Sequence, residues 1–182
     1  AYCRAPEGLS ARIYDYCEKN RISVYRLFMC TLYAYLFRLT MKEDIVIQAA
    51  HHGRPDDFLK TTGMFVSTVP VRLNFAADSS FRQLYEKFSP EFKQMLSRHR
   101  FPVDLLGSEL RRLGRDPGGL FNVMLSQFVK CQDPGLETRV YGNGESVSLL
   151  SYYLSYEAAR RDEIEFFLDY RVSAFSRSEI EL

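Results

Sequence analysis

Apolar residues recur along the 182-residue chain with two periods, and each change of period predicts a new element. Between Leu9 and Asn20, Ile13, Tyr14 and Cys17 share one helical face, with Ser10 as the expected N-cap. Ser23 predicts the start of a second helix running to about Thr40. There Val24, Leu27, Phe28, Leu32, Tyr35, Leu36 and Leu39 leave little polar face, so burial on most sides and a core role are expected. Asp44 to Ala50 is a short continuous apolar run, the pattern of a fully covered strand and compatible with a parallel neighbour. His51 to Lys60 is polar and reads as a loop.

From Gly63 the pattern turns to alternation. Phe65, Val69, Val71 and Leu73 fall on one side of a strand, with Thr68, Arg72 and Asn74 on the other. Pro70 has no backbone donor, which predicts an edge strand or a bulge. The small hydroxyls of Ser67 and Thr68 beside a proline suit a wall along which an extended ligand passes better than a pure core.

Ala76 to Ser80 reads as a turn. Phe81, Leu84, Tyr85, Phe88, Phe92, Met95 and Leu96 then keep helical spacing up to about His99. Because the phase survives Pro90, one kinked helix is expected; the rival is a break with Ser89 as a new N-cap. A shorter helix follows from Val103 to Leu113, opened by Pro102, and Gly114 to Gly119 is a loop. Strands are predicted over Leu120 to Phe128 and Glu137 to Tyr141. A half-buried hairpin follows: Leu150, Tyr152, Leu154 and Tyr156 alternate with polar positions, as do Ile164, Phe166, Leu168 and Tyr170. Ser176 is expected to cap a last helix. Helices interleaved with strands make this an α/β protein.

Composition narrows the class. Hydrophobic residues are 46% and charged ones 26%, a globular balance. A net charge of +1 argues against a nucleic-acid partner. Cys3, Cys17, Cys30 and Cys131 match no zinc spacing, and reduced thiols are expected, buried at Cys17 and Cys30. The longest apolar run, Leu27 to Phe37, is flanked by Arg26 and Arg38 and is too short for a bilayer. With no signal-peptide pattern, a cytoplasmic location is expected, with no membrane partner. The chain begins without Met and stops at Leu182, so a piece of a longer polypeptide is expected.

His51, His52 and Asp56 raise the possibility of a base held by a carboxylate. Neighbouring side chains on extended backbone point opposite ways, so at most one histidine is expected to face a pocket. No third ligand suggests a metal. His99 is expected to serve the C-terminus of its helix. Ser67 and Ser126 have no nearby His or Asp in sequence to activate them. Gly114 to Gly119 is a turn and not a phosphate loop. The residues by themselves therefore give an α/β domain with an apolar wall and no complete catalytic constellation.

Four stretches in order resemble the second half of the condensation domain of nonribosomal peptide synthetases. Gly63-Met64-Phe65-Val66-Ser67-Thr68-Val69-Pro70-Val71-Arg72 resembles that family's Gly-x-Phe-Val-Asn-Thr-x-x-x-Arg, with Gly53-Arg54 matching the Gly-Arg ahead of it. His99-Arg100-Phe101-Pro102-Val103 is similar to His-Gln-x-x-Pro-Phe. Arg115-Asp116 with Gly119-Leu120-Phe121-Asn122-Val123-Met124 resembles an Arg-Asp leading to Pro-Leu-Phe-x-Val-Met. The closing hairpin and Phe175 complete the likeness. Ser67, Val103 and Gly119 depart from the usual Asn, Phe and Pro. His51 to Asp56 imitates the family's catalytic His-His-x-x-x-Asp-Gly, but Asp57 replaces the glycine, and the motif belongs in the family's first half. The imitation is read as a coincidence.

The resemblance implies a chloramphenicol acetyltransferase-like lobe, a mixed β-sheet packed by helices, with residues 1–182 forming the C-terminal of two lobes around a tunnel. The parent would join an upstream thioester to a downstream aminoacyl amine. Both substrates would ride on phosphopantetheine arms of carrier proteins, with no cofactor bound directly. Met64, Phe65, Ser67, Thr68 and Pro70 would lie under the tunnel, and Asn122, Met124 and Ser126 on its acceptor side. Arg54, Gly63 and Arg72 would be structural, Arg54 pairing with the carboxylate of the absent motif. No catalytic residue and no metal site is assigned. The expected partners are the N-terminal lobe, carrier proteins and an adenylation domain. An exposed apolar patch is expected where the other lobe docks. The alternatives are a non-catalytic binding module for carrier or partner domains, or an epimerisation, cyclisation or free-standing acyltransferase relative.

Overall fold

Most changes of hydrophobic period become real element boundaries in the computed structural model, which describes residues 1–128, 148–157 and 160–180. In chain order these are β1 (Tyr2–Arg4), α1 (Leu9–Asn20), α2 (Val24–Thr40), β2 (Asp44–His51), β3 (Ser67–Asn74), α3 (Phe81–Ser97), α4 (Val103–Arg112), β4 (Val123–Phe128), β5 (Leu150–Glu157), β6 (Arg160–Tyr170) and α5 (Arg177–Ile180). Short 3-10 turns occupy Asp56–Phe58 and Gly118–Phe121. This is the expected mixed α/β class. The chain gathers into two units, Ala1–Met29 with Leu125–Leu182, and Cys30–Met124.

In the first unit β5 and β6 form the expected antiparallel hairpin, with Leu150 opposite Tyr170 and Leu154 opposite Phe166. Its burial is not one-sided, however. Ser151, Ser155 and Glu165 are buried along with Leu150, Leu154 and Ile164, so both faces are covered. One cover is the start of α2, where Phe28 meets Phe166 edge-on at 5.0 Å. β1, too short to show a period, adds to β6 with Cys3 opposite Phe166. The α1 helix starts from Gly8, at φ +72°, and not from Ser10. A turn from Leu9 N–H to the Pro6 carbonyl (3.0 Å) leads into the helix and sets its start upstream of Ser10. Ser10 is left buried in the first turn, its hydroxyl without a partner among the described residues. Ser176 caps α5 as expected, accepting the Glu179 N–H at 3.4 Å, while Glu179 accepts the Ser176 N–H at 2.8 Å. The predicted strand over Glu137 to Tyr141, and Cys131, lie outside the described residues.

The second unit carries the candidate site. β2 pairs with β3 along its whole length, from Asp44 opposite Asn74 to His51 opposite Ser67. The β2–β3 pairing is antiparallel. Pro70 sits opposite Gln48 without a bulge, and β3 is an edge strand, which is how its missing donor is tolerated. β3 starts at Ser67 and not near Gly63. Its partner strand ends at His51, and Gly53 then turns into the left-handed region at φ +59°, so residues before Ser67 have no ladder to join. β4 starts at Val123, later than the alternation suggested. Asp116 Oδ1 accepts the Gly118 N–H at 2.8 Å and sets up the 3-10 turn that occupies Gly118–Phe121.

α3 is one helix through Pro90, opened by a reciprocal capping box between Ser80 and Gln83. Its buried stripe of Leu84, Phe88 and Phe92 keeps the i, i+4 spacing. The buried Tyr33 of α2 touches Phe88 at 6.0 Å and donates its hydroxyl to the Val71 carbonyl at 2.6 Å. That bond ties helix to strand and satisfies a phenol otherwise costly to bury. α2 is less enclosed than its sequence suggests, with Tyr35 49% and Leu39 62% exposed.

Candidate functional site

An open groove of about 540 Å³ lies in the second unit. One wall is Gly53 with Phe65 to Thr68; the other is His99 to Val103, between α3 and α4. Two stretches far apart in sequence, both singled out by their motifs, thus meet at one place.

Gly53 fixes the first wall. A Cβ there would lie 2.3 Å from the Phe65 carbonyl oxygen, a backbone atom, so only glycine allows the two segments to approach. Gly63, at φ +145°, gives the same loop its second glycine-only conformation. Arg54 holds the span between them. Its guanidinium donates to the carbonyls of Phe58 (3.0 Å), Thr61 and Gly63 (2.9 Å). It also lies over the Phe65 ring, 4.2 Å from the centroid. One cation therefore satisfies three loop carbonyls and orders a segment that has no ladder bonds.

The histidines are placed differently from expectation. The chain leaves extended geometry after His51, so the His51 and His52 rings stack, 4.9 Å apart and 18° from parallel. His51 also meets the His99 ring at 4.5 Å. His99 keeps its expected place at the end of α3, its Nδ1 donating to the Leu96 carbonyl at 2.7 Å. Burial, His99 and His52, in that order, push His51 below the usual imidazole range. No carboxylate pairs with these rings among the described residues, and no group of His, Cys, Asp or Glu there could hold a metal.

Of the residues expected along a ligand path, Phe65, Ser67 and Thr68 line the groove. Met64 stands beside them, 92% exposed. Pro70 is half-buried in the ladder with β2. Asn122 is exposed and Met124 half-buried in the same unit, and neither lines the groove. Ser126 belongs to the other unit, its hydroxyl 3.5 Å from the Gln127 carbonyl. Arg72 grips Asp44 with two bonds, 2.8 and 2.6 Å, at the end of the β2–β3 ladder away from Gly53. The Ser67 hydroxyl is buried without a partner among the described residues. Sequence reasoning assigned no site role to His99–Val103, although its His-x-x-Pro pattern was visible.

The comparisons agree with the motifs. A family model described as "Condensation domain" matches residues 3–182. The chain belongs to the condensation-domain family. Among curated relatives, surfactin synthase subunit 1 of Bacillus subtilis (strain 168) is 30% identical over 182 residues, 97% of this chain and 5% of its own length. A plipastatin synthase from the same organism is 29% identical, over 94% of this chain and 7% of its own length. Among solved structures, the first condensation domain of the CDA synthetase aligns with all of this chain at a TM-score of 0.76 and 19% identity. The alignment covers 41% of that domain's chain. The X-domain solved in complex with OxyB from teicoplanin biosynthesis gives 0.78 and 22%, over 42% of its chain. These neighbours establish the chloramphenicol acetyltransferase-like fold, a mixed sheet packed by helices. The chain spans well under half of the solved condensation domains and a small part of the curated synthetases. No helix among the described residues is long and apolar enough to cross a membrane.

Proposed function

We propose that the chain is the C-terminal lobe of a nonribosomal peptide synthetase condensation domain. In this reading it walls the acceptor side of the tunnel in which carrier-bound thioesters are joined through an amide bond. The observation that carries the proposal is that the whole chain aligns with only 41% of a solved condensation domain. The order of its motifs supports the second part of that domain. The contribution is positional: the lobe holds an amine-bearing substrate, delivered on a phosphopantetheine arm, against a base supplied by the N-terminal lobe. Phe65, Ser67, Thr68 and the His99–Val103 segment are the residues assigned to that wall. Met64, Val66 and Phe101, 92%, 58% and 54% exposed around the groove, supply apolar surface for the N-terminal lobe to cover. Carrier proteins and an adenylation domain are the further partners in this reading, and the cytoplasm is its setting.

The chain alone is then inactive. The test supplies the purified chain, and separately its parent domain, with an acyl-carrier and an aminoacyl-carrier thioester, and follows amide product by mass spectrometry. The parent is expected to form product and to keep doing so with His51→Ala or His52→Ala. Product from the isolated chain that disappears with His52→Ala would refute the assignment. A second reading, a non-catalytic module that docks carrier or partner domains, is favoured by the likeness to an X-domain solved with OxyB. A parent that binds carrier protein but forms no amide would support it.

A further inference from the structure

All three histidines of the chain stand together where β2 ends, with His51 between His52 and His99. Their backbone bonds assign the proton on each ring. His51 Nδ1 accepts the Gly53 N–H at 2.9 Å, and His52 Nδ1 accepts the Arg54 N–H at 3.2 Å. Each of these rings therefore carries its single hydrogen on Nε2. His99 is the reverse, because the Leu96 carbonyl can only accept and Nδ1 must donate. A second proton on His51 goes to Nδ1, turning the acceptor into a donor that faces the Gly53 N–H.

The turn that hangs on the His51 and His52 bonds is Gly53–Arg54. Gly53 lies directly against the Phe65 carbonyl, and Arg54 holds the carbonyls of Phe58, Thr61 and Gly63. We propose that His51 is a pH-sensitive latch: its protonation at Nδ1 breaks the bond from Gly53, frees the Gly53–Arg54 turn and, through Arg54, loosens the 55–65 loop that leads into the groove wall. The surroundings fix the sign. Opposite His51 on β3 stands Ser67, which is uncharged. From the end of α3 comes His99, and from its own loop come His52 and the Arg54 guanidinium, already engaged with carbonyls. Burial and both neighbouring imidazoles oppose a charge on His51, and none of the groups that shift it is a carboxylate. The latch is closed when the His51 ring is neutral and opens as pH falls below the ordinary imidazole range. His51 is a positioning residue, and the inference does not depend on the lobe assignment.

The test is amide hydrogen exchange of residues 54–65 in the full chain between about pH 7.5 and about pH 5.5, corrected for intrinsic exchange, with NMR titration of the His51 ring in the same sample. Loss of the His51 bond should lower protection about three- to tenfold, in step with the ring titration, while amides of Ile47 and Val71 stay protected. In the His51→Asn variant the amide oxygen accepts the same N–H group without titrating, and the profile should be flat. An unchanged wild-type loop, a variant that keeps the pH-dependent loss, or core amides loosening in parallel would each overturn the latch. If the variant does not fold, the wild-type comparison decides, and loop loosening out of step with the His51 ring counts against it.

Discussion

Gly53→Ala isolates the close approach on which the groove wall depends. Two costs add. The left-handed backbone at φ +59° costs a residue with a Cβ roughly 1 kcal/mol. The Cβ would also lie 2.3 Å from the Phe65 carbonyl oxygen, where a real contact requires at least 3.0 Å. Either the turn or the Phe65 segment before β3 must move by more than half an ångström, and forced displacements of this kind cost about 1–3 kcal/mol. Gly53→Ala should therefore lose about 2–4 kcal/mol of stability. Gly114→Ala is the control, because Gly114 has φ +69° but nothing within 4 Å of its Cβ position, so only the backbone cost applies. Urea unfolding followed by circular dichroism suits a chain without tryptophan. Gly53→Asn sharpens the comparison, since asparagine tolerates the left-handed region but keeps the overlap. The reasoning fails if Gly53→Ala costs no more than Gly114→Ala, or if Gly53→Asn restores wild-type stability.

Two further outcomes follow from exposure and charge. Cys3 is exposed whereas Cys17 and Cys30 are buried, and burial raises the Cys17 thiol above its usual range. A small alkylating reagent should label Cys3 before Cys17 and Cys30 in the native chain, with the latter two reacting only on unfolding; equal rates for the three by peptide mass mapping would contradict the packing of α1 and α2. The Arg72 side-chain bonds hold the Asp44 carboxyl below the usual carboxylate range. The stability they add is present above about pH 4 and lost as pH falls through the lowered value. Because both side chains are largely exposed, Arg72→Ala should cost only about 0.5 kcal/mol at neutral pH. A difference that persists undiminished in acid would show that Arg72 acts through packing.

Much of this fold was legible because period follows from geometry. The α3 stripe of Leu84, Phe88 and Phe92 ran through Pro90 unbroken, and the β5–β6 hairpin alternated clearly. Where the reading slipped, a non-local partner decided. β3 could not start at Gly63 because β2, its partner, ends at His51. β1 is too short to have a period and exists only as an addition to β6. α1 starts at Gly8 because the backbone closes on Pro6, a bond invisible to a rule about serine caps. In the site, the motifs singled out both walls but not their meeting. The distance between Gly53 and Phe65 is a property of the folded turn. The histidine cluster was hidden for a similar reason: alternation separates His51 from His52 only while the chain stays extended, and His99 comes from another element.

The division of the chain has a consequence for the ribosome. The unit that carries the groove is one uninterrupted stretch, Cys30–Met124, whereas the other is drawn from both sides of it. Synthesis runs from the N-terminus, so the whole groove-bearing stretch is available to fold while the first unit still lacks its larger part, Leu125–Leu182. β1 and α1 emerge early but must wait, since β6, the strand that β1 joins, is made near the end. Until then Tyr2–Arg4 is an extended segment with no edge to complete, and the buried face of α1, with Tyr14 and Cys17, stays uncovered. A strand made late, β6, thus gives β1, made early, its place.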